Sequence, residues 1–236
     1  AETVLFEPLA KQYEPHQLAY FAQEHLEENM LALVRDAMRI TGSKRLCTAG
    51  GVMLNVKANS RIRDELQPDE FFVYPDSADS GLAVGAAMEA LYVCGTGTVG
   101  TLSSPYLGHA FADDSIEKAL SKFTDIQIEK VGDQIAQRTA QLLTDGYVVG
   151  AFHGRMEMGP RALGNRSVLA DPRHAKVKDR INDILKGREW FVPFAPMVLE
   201  DEAHKYWEGR YDYRFMTFAV EANEFAKRTV PGVVHL

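Results

Sequence analysis

At 236 residues, with 46% hydrophobic and 25% charged side chains, the sequence has the makeup of a globular protein of one or two domains, at roughly 100–200 residues each. Its net charge of −7 argues against a basic face for nucleic acid, no apolar run approaches the roughly 20 residues of a membrane span, and the N-terminus carries no signal-peptide pattern. The cysteines Cys47 and Cys94 sit in apolar stretches and read as reduced core residues of a cytoplasmic protein. A first residue of Ala rather than Met reads as a processed chain or a piece of a longer one.

Residues 1–14 read as an extended lead-in. Pro15 suits the first turn of a helix, and Leu18, Phe21, Ala22, Leu26, Met30, Leu33, Val34, Ala37 and Met38 recur at helical spacing up to a stop at Gly42. A strand over Arg45–Ala49, a helix over Leu54–Leu66, a buried strand over Glu70–Pro75 and a small-residue helix over Leu82–Val93 follow. In that helix Gly85, Ala86 and Ala87 allow close packing. Helix–strand–helix–strand–helix is an α/β layer pattern. The glycine- and serine-rich stretch 95–108 marks a domain boundary, giving units of 1–100 and 101–236. The second unit predicts helices over Ser115–Lys122, Asp133–Thr144 and Ala175–Leu185. Its predicted strands are Ile126–Val131, Tyr147–Phe152, Ser167–Ala170 and Phe215–Val220.

Residues 153–173 hold four arginines (Arg155, Arg161, Arg166, Arg173), three glycines and two prolines. Glycines let backbone approach a small anion, and each guanidinium offers a rigid donor fork. Over 153–188 nine Lys/Arg face four Asp/Glu, a local excess of five positive charges in an acidic chain. A phosphate site answers that pattern; a solvated loop with scattered salt bridges is the plainer reading. Glu157, the lone acid at the centre, can orient an arginine, accept an amide N–H or hold Mg²⁺. Asn165 and Ser167 can donate to a carbonyl or phosphate oxygen, and Lys186 and Arg188 can add charge beyond the next helix. Trp190, Phe191 and Phe194 read as core, and His153 as structural.

A second constellation is Gly50-Gly51-Val52 with Asn55, at a strand-to-helix junction that suits phosphate but is also common in ordinary α/β turns. Asp79-Ser80-Gly81 recurs at the next strand end, beyond the carboxyl ends of the strands, where ligands of open α/β sheets sit. Asp79 either faces a ligand or metal or caps the helix it precedes. No nucleophile–base set of the hydrolase kind, HExxH, HxxxH or GxxxxGK[ST] is present.

At these residues the sequence resembles the O-carbamoyltransferase family of the nodulation-protein, cephalosporin and tobramycin type. Gly50 to Asn59 resembles the family's GGVxLNxxxN turn and Asp79 to Ala87 its DxGLAxGAA turn. Gly154 to Arg173, followed by Val192-Pro193-Phe194-Ala195-Pro196, resembles its GRxExGPRALGNRSxLxDPR signature. The resemblance covers about residues 45–200.

The resemblance implies two α/β domains: the C-terminal half of an actin-like ATPase (ASKHA) domain, then part of a YrdC-like domain. It implies ATP-dependent transfer of a carbamoyl group, a one-carbon unit, from carbamoyl phosphate through carbamoyl adenylate to a hydroxyl of a small-molecule acceptor. Carried over, Arg155, Arg161, Asn165, Arg166 and Ser167 belong to the adenylate-forming pocket. Gly50, Gly51, Val52 and Asn55 hold the phosphate side of the adenylate, and Asp79 is a metal ligand. The implied cofactors are ATP with Mg²⁺ and a divalent metal, iron in the family site. The implied partners exclude nucleic acid and membrane and are compatible with a homodimer. Family members are more than twice this long, and their HxxxH metal pair lies in an N-terminal half missing here, so the chain reads as an internal piece. Threonylcarbamoyl or hydrogenase-maturation carbamoyl transfer, or a non-catalytic nucleotide-binding module, are the competing readings.

Overall fold

The computed structural model describes residues 8–95, 97, 100–209 and 213–235. The chain divides at residue 90 into two compact units. The first runs to Ala90 and takes in Thr217–Ala219; the second holds Leu91–Met216 and resumes at Val220. Helices mixed with small sheets make up both, consistent with the α/β expectation.

In the first unit, α1 (Pro15–Thr41) follows the predicted apolar spacing. Pro15 sits where no N–H partner is needed, and Gln17 Oε1 accepts the Glu14 backbone N–H at 3.0 Å. Gly42, at φ +68°, ends the helix by donating its N–H to the Met38 carbonyl. β1 (Arg45–Thr48) and β2 (Glu70–Val73) pair in parallel, Arg45 opposite Glu70 and Thr48 opposite Val73. Parallel neighbours need a crossover, supplied by a 3₁₀ turn (Gly51–Leu54) and α2 (Val56–Leu66). Leu31, Val34, Met53, Ile62 and Val73 form the core, with Phe71 and Phe218 packed beside it edge to face at 5.3 Å. Each such buried side chain contributes about 1.5–3 kcal/mol relative to leaving it exposed.

Three expectations change in this unit and at its boundaries with the second. α3 (Leu82–Val93) has its predicted bounds but buries none of its residues, and a Cβ on Gly85 would meet nothing within 4 Å. The close packing expected of Gly85, Ala86 and Ala87 is therefore not present among the described residues. Cys47 and Cys94 are exposed free thiols rather than core residues; Cys47 lies on the outward face of β1. Phe215–Val220 is irregular rather than a strand, because side chains take up its backbone groups. Asn59 Nδ2 donates to the Thr217 carbonyl at 2.8 Å, and the Ser60 hydroxyl donates to the Ala219 carbonyl and accepts the Ala219 N–H.

The second unit holds α4 (Asp113–Leu120) and α5 (Ile135–Thr144), the latter entered through a 3₁₀ turn at Gly132–Gln134. β3 (Val149–Phe152) and β4 (Arg166–Leu169) form an antiparallel pair with Val149 opposite Leu169 and Phe152 opposite Arg166. α6 (Val177–Arg180) continues as a π-helical turn over Ile181–Lys186, and α7 (Glu224–Thr229) lies near the end. The predicted strand Ile126–Val131 is absent: Ile126 and Ile128 are exposed, so their alternation finds no face to bury. Among the described residues no helix is long and apolar enough to cross a membrane.

Candidate phosphate site

The β3–β4 pair delivers the arginine stretch as the loop between its strands, residues 153–165. Glu157 is the hub of that loop. Its side chain has no exposed surface, and both oxygens are engaged. Oε1 accepts the backbone N–H groups of Leu163 (3.0 Å), Asn165 (2.6 Å) and Arg166 (3.3 Å), while Oε2 accepts Arg166 Nε at 3.0 Å. An ionised carboxylate has room for about four such donors, so these contacts saturate it. Of the three roles open to Glu157 in the sequence, it performs two: it orients an arginine and it accepts amide N–H groups.

Arg166 Nη2 donates to the Gly159 carbonyl and, at 3.2 Å, to the Arg161 carbonyl. The guanidinium thus ties the Glu157 carboxylate to the backbone at Arg161. Arg155 is fixed in the same way: Nε donates to the Gly108 carbonyl (2.9 Å) and Nη2 to the Leu107 carbonyl (2.8 Å). Both guanidiniums are anchored along one edge, and neither Nη1 has a protein partner among the described residues. A planar fork held by one edge presents its remaining N–H groups in a fixed direction, which suits a phosphate or carboxylate. Asn165 Nδ2 donates to the Arg155 carbonyl at 2.7 Å, and the Ser167 hydroxyl accepts the Gly164 N–H at 3.0 Å. Arg161 is partly buried on the same loop. The structure therefore brings Arg155, Glu157, Arg161, Asn165, Arg166 and Ser167 together, with Asn165 and Ser167 serving the shape of the loop. His153 is exposed and donates its backbone N–H to the Asn165 carbonyl.

The stretch before the loop adds what sequence reasoning missed. Gly108 N–H donates to the Met156 carbonyl, Met156 N–H to the His109 carbonyl and Met158 N–H to the Pro105 carbonyl, so 105–109 runs beside the loop. A Cβ on Gly108 would stand 2.7 Å from Met156 Cβ, so only glycine permits this approach. The Tyr106 hydroxyl reaches the Leu163 carbonyl at 2.6 Å. The only sequence trace of this is a run of glycines that equally suits a linker.

Past the loop, Asp171 is buried and accepts Arg173 through its backbone N–H (3.0 Å), Nε (2.9 Å) and Nη2. These Arg173 hydrogen bonds pull the carboxyl below its usual range, against burial, which pushes it up. Arg173 is thus an internal partner of Asp171. Arg188 is exposed and donates its backbone N–H to the Asn182 carbonyl at 2.9 Å, closing the π-helical turn. The side chain of Lys186 lies outside the described residues. Trp190 and Phe191, read as core, are exposed, while Phe194 is half-buried.

The first unit carries the other candidates at the carboxyl ends of β1 and β2. Gly50, at φ +109°, donates its N–H to the Ser77 carbonyl at 3.0 Å and so joins the two turns. Gly51 and Val52 open the 3₁₀ turn and are exposed. Asn55 Oδ1 accepts the Ala58 N–H at 3.1 Å and caps α2, and Asn55 Nδ2 donates to Gln23 Oε1 at 2.9 Å. The Asn55 carboxamide thereby takes the place at the helix end that an anion would want. Asp79 is exposed at the start of a 3₁₀ turn (Asp79–Gly81), and its neighbour Ala78 holds the capping position. Among the described residues no three His, Cys, Asp or Glu side chains cluster to hold a metal. Two neighbours were missed: Asp76 is buried and accepts the Ser80 hydroxyl, and Tyr74 lies beside it. Burial, and then the Asp76 charge, push the Tyr74 phenol above its usual range, so it remains protonated. Alternation along β2 shows none of this, because both residues follow its last ladder position.

The family described as Carbamoyltransferase N-terminus matches residues 3–88, and that described as Carbamoyltransferase C-terminus matches residues 140–236. Nodulation protein NolNO of Sinorhizobium fredii is 39% identical over 235 residues, covering 97% of this chain and 34% of the relative. Nodulation protein NolO of Bradyrhizobium diazoefficiens is 38% identical over 222 residues, 91% of this chain and 40% of the relative. Uncharacterized protein MJ1058 of Methanocaldococcus jannaschii is 34% identical over 219 residues, 91% of this chain and 36% of the relative. The chain thus spans between a third and two-fifths of the length of these relatives. With both terminal regions of the family matched in order along one sequence, the chain belongs to the carbamoyltransferase family.

Proposed function

We propose that the chain contributes the carbamoyl-activating loop of an ATP-dependent O-carbamoyltransferase. The observation that carries this is the pair of guanidiniums, Arg155 and Arg166, each anchored along one edge on a loop whose centre is a saturated, buried Glu157. Such a loop suits a ligand with several phosphoryl oxygens, and carbamoyl phosphate and ATP both have them. On this reading Arg155, Arg161 and Arg166 bind and orient the phosphates and neutralise charge as it shifts between them. Carbamoyl phosphate, ATP and one water give carbamoyl adenylate, phosphate and pyrophosphate. An acceptor hydroxyl then takes the carbamoyl group, and AMP leaves. Carbamoyl adenylate is a mixed anhydride, so its handling calls for enclosure away from further water.

The wider reading places residues 1–100 in an actin-like domain and 101–236 in a YrdC-like domain of a cytoplasmic enzyme with a small hydroxyl-bearing acceptor. Among the described residues Asp79 is exposed and no three His, Cys, Asp or Glu side chains cluster, so they supply at most part of the ligand set of a metal. No step is therefore routed through one.

The test is pyrophosphate release from ATP by the intact protein, with and without carbamoyl phosphate, in wild type and Arg161→Ala. Release that depends on carbamoyl phosphate and falls at least about tenfold in the variant, about 1.4 kcal/mol, is expected. Release in the variant equal to wild type removes the loop from the site. No dependence on carbamoyl phosphate in wild type favours a nucleotide-binding module instead.

A further inference from the structure

We propose that Tyr106 and Glu157 form a two-sided clamp that positions the arginine loop for its anion, Tyr106 acting from outside the loop and its motif. The inference rests on the reading of this loop as a phosphate site and names what holds it in shape. Leu163 lies on the returning side of the loop, two residues before Asn165. Its N–H is held by Glu157 Oε1 at 3.0 Å and its carbonyl by the Tyr106 hydroxyl at 2.6 Å. The next residue, Gly164, has φ +115° and donates its N–H to the Ser167 hydroxyl. The two peptide groups that flank the Leu163 Cα are thus held, the preceding one by a buried carboxylate and the following one by a phenol contributed from 57 positions earlier in the chain.

The loop needs such a grip. It holds Gly154, Gly159 and Gly164, all at positive φ, and glycines lose the most conformational freedom when they are ordered. The carriers of the grip are themselves fixed. Tyr106 accepts no slack because Met158 N–H holds the Pro105 carbonyl at 2.8 Å and Arg155 holds the Leu107 and Gly108 carbonyls. Glu157 in turn fixes Arg166, and Arg166 fixes the backbone at Gly159 and Arg161. The clamp therefore sets both the returning side of the loop at Leu163 and the backbone that carries the Arg161 side chain. With both oxygens engaged and no exposed surface, Glu157 is a positioning residue and not a cation ligand.

The experiment compares wild-type intact protein with Tyr106→Phe, which removes one hydroxyl, and with Glu157→Gln, which places an amide against Arg166 Nε. Amide hydrogen exchange is read at Leu163, Asn165 and Arg166, against Ala151 and Leu169 in the β3–β4 ladder. Carbamoyl-phosphate-dependent pyrophosphate release gives KM and kcat. The clamp predicts loop exchange faster by about tenfold in Tyr106→Phe with the ladder unchanged. It also predicts a KM for carbamoyl phosphate raised about tenfold, with kcat within about threefold of wild type. Loop exchange unchanged in both variants, or loop and ladder accelerated alike, overturns the clamp. So does faster loop exchange with an unchanged KM. A wild type that releases no pyrophosphate overturns the carbamoyl-activation reading, and the exchange measurement still decides whether the clamp exists.

Discussion

Glu157 holds Arg166 at two points: Oε1 accepts its backbone N–H at 3.3 Å and Oε2 accepts its Nε at 3.0 Å. Because Arg166 Nη2 also reaches the Gly159 and Arg161 carbonyls, one guanidinium bridges three groups of the loop. A lysine has a single donor centre and cannot span that set. Arg166→Lys is therefore expected to destabilise the second unit by about 1–2 kcal/mol, after discounting for a side chain that is partly in water. Urea unfolding of wild type and variant measures it; a midpoint equal to wild type would show that the bridge contributes nothing.

The Asp171–Arg173 pair gives a pH dependence with a definite sign. The Arg173 hydrogen bonds hold the folded-state pKa of Asp171 below its unfolded value of about 3.9. A depressed carboxylate contributes stability that is present above the unfolded pKa and is lost as pH falls through the folded one. Asp171→Asn is thus expected to be less stable than wild type near neutrality, by about 1–2 kcal/mol given the exposure of Arg173. The gap should narrow as pH drops below about 4. Unfolding midpoints taken from neutral to acid pH decide it, and a gap that stays constant counts against the pair.

Two glycines four residues apart in one motif, Gly81 and Gly85, have opposite surroundings. A Cβ on Gly81 would lie 2.0 Å from the Asp76 backbone oxygen and 3.0 Å from the Tyr74 ring, and a backbone oxygen cannot swing aside. Gly81→Ala is expected to cost about 1–3 kcal/mol. Gly85, in the exposed middle of α3, meets nothing, and Gly85→Ala should stabilise by about 0.5–1 kcal/mol through helix propensity alone. Thermal midpoints of the two variants should move in opposite directions; a shared direction would mean that the turn or the helix differs from this structure.

Local signals explain what could be read in advance. α1 runs from Pro15 to the residue before Gly42, and α3 has its predicted bounds, because both rest on spacing and end residues a few positions apart. The arginine loop was legible as a unit, since its glycines and arginines lie in one stretch. Its internal wiring was not. Tyr106 reaches Leu163 across 57 positions and Asn59 reaches Thr217 across 158, distances at which no periodicity operates. Cys47 failed for a different reason: strand positions alternate faces, and an apolar neighbourhood does not say which face is inward.

Thr217–Ala219 has a consequence for how the protein comes apart. Asn59 is fully buried and donates to the Met53 and Thr217 carbonyls, each at 2.8 Å, while Phe218 packs on Phe71 and beneath the Arg63 guanidinium at 5.3 Å. The first unit is thus discontinuous in sequence, and no single cut excises it whole. A polypeptide ending at residue 90 leaves the Asn59 amide short of an acceptor and Phe71 bare. Chain beyond residue 90 is therefore needed to complete the unit that precedes it.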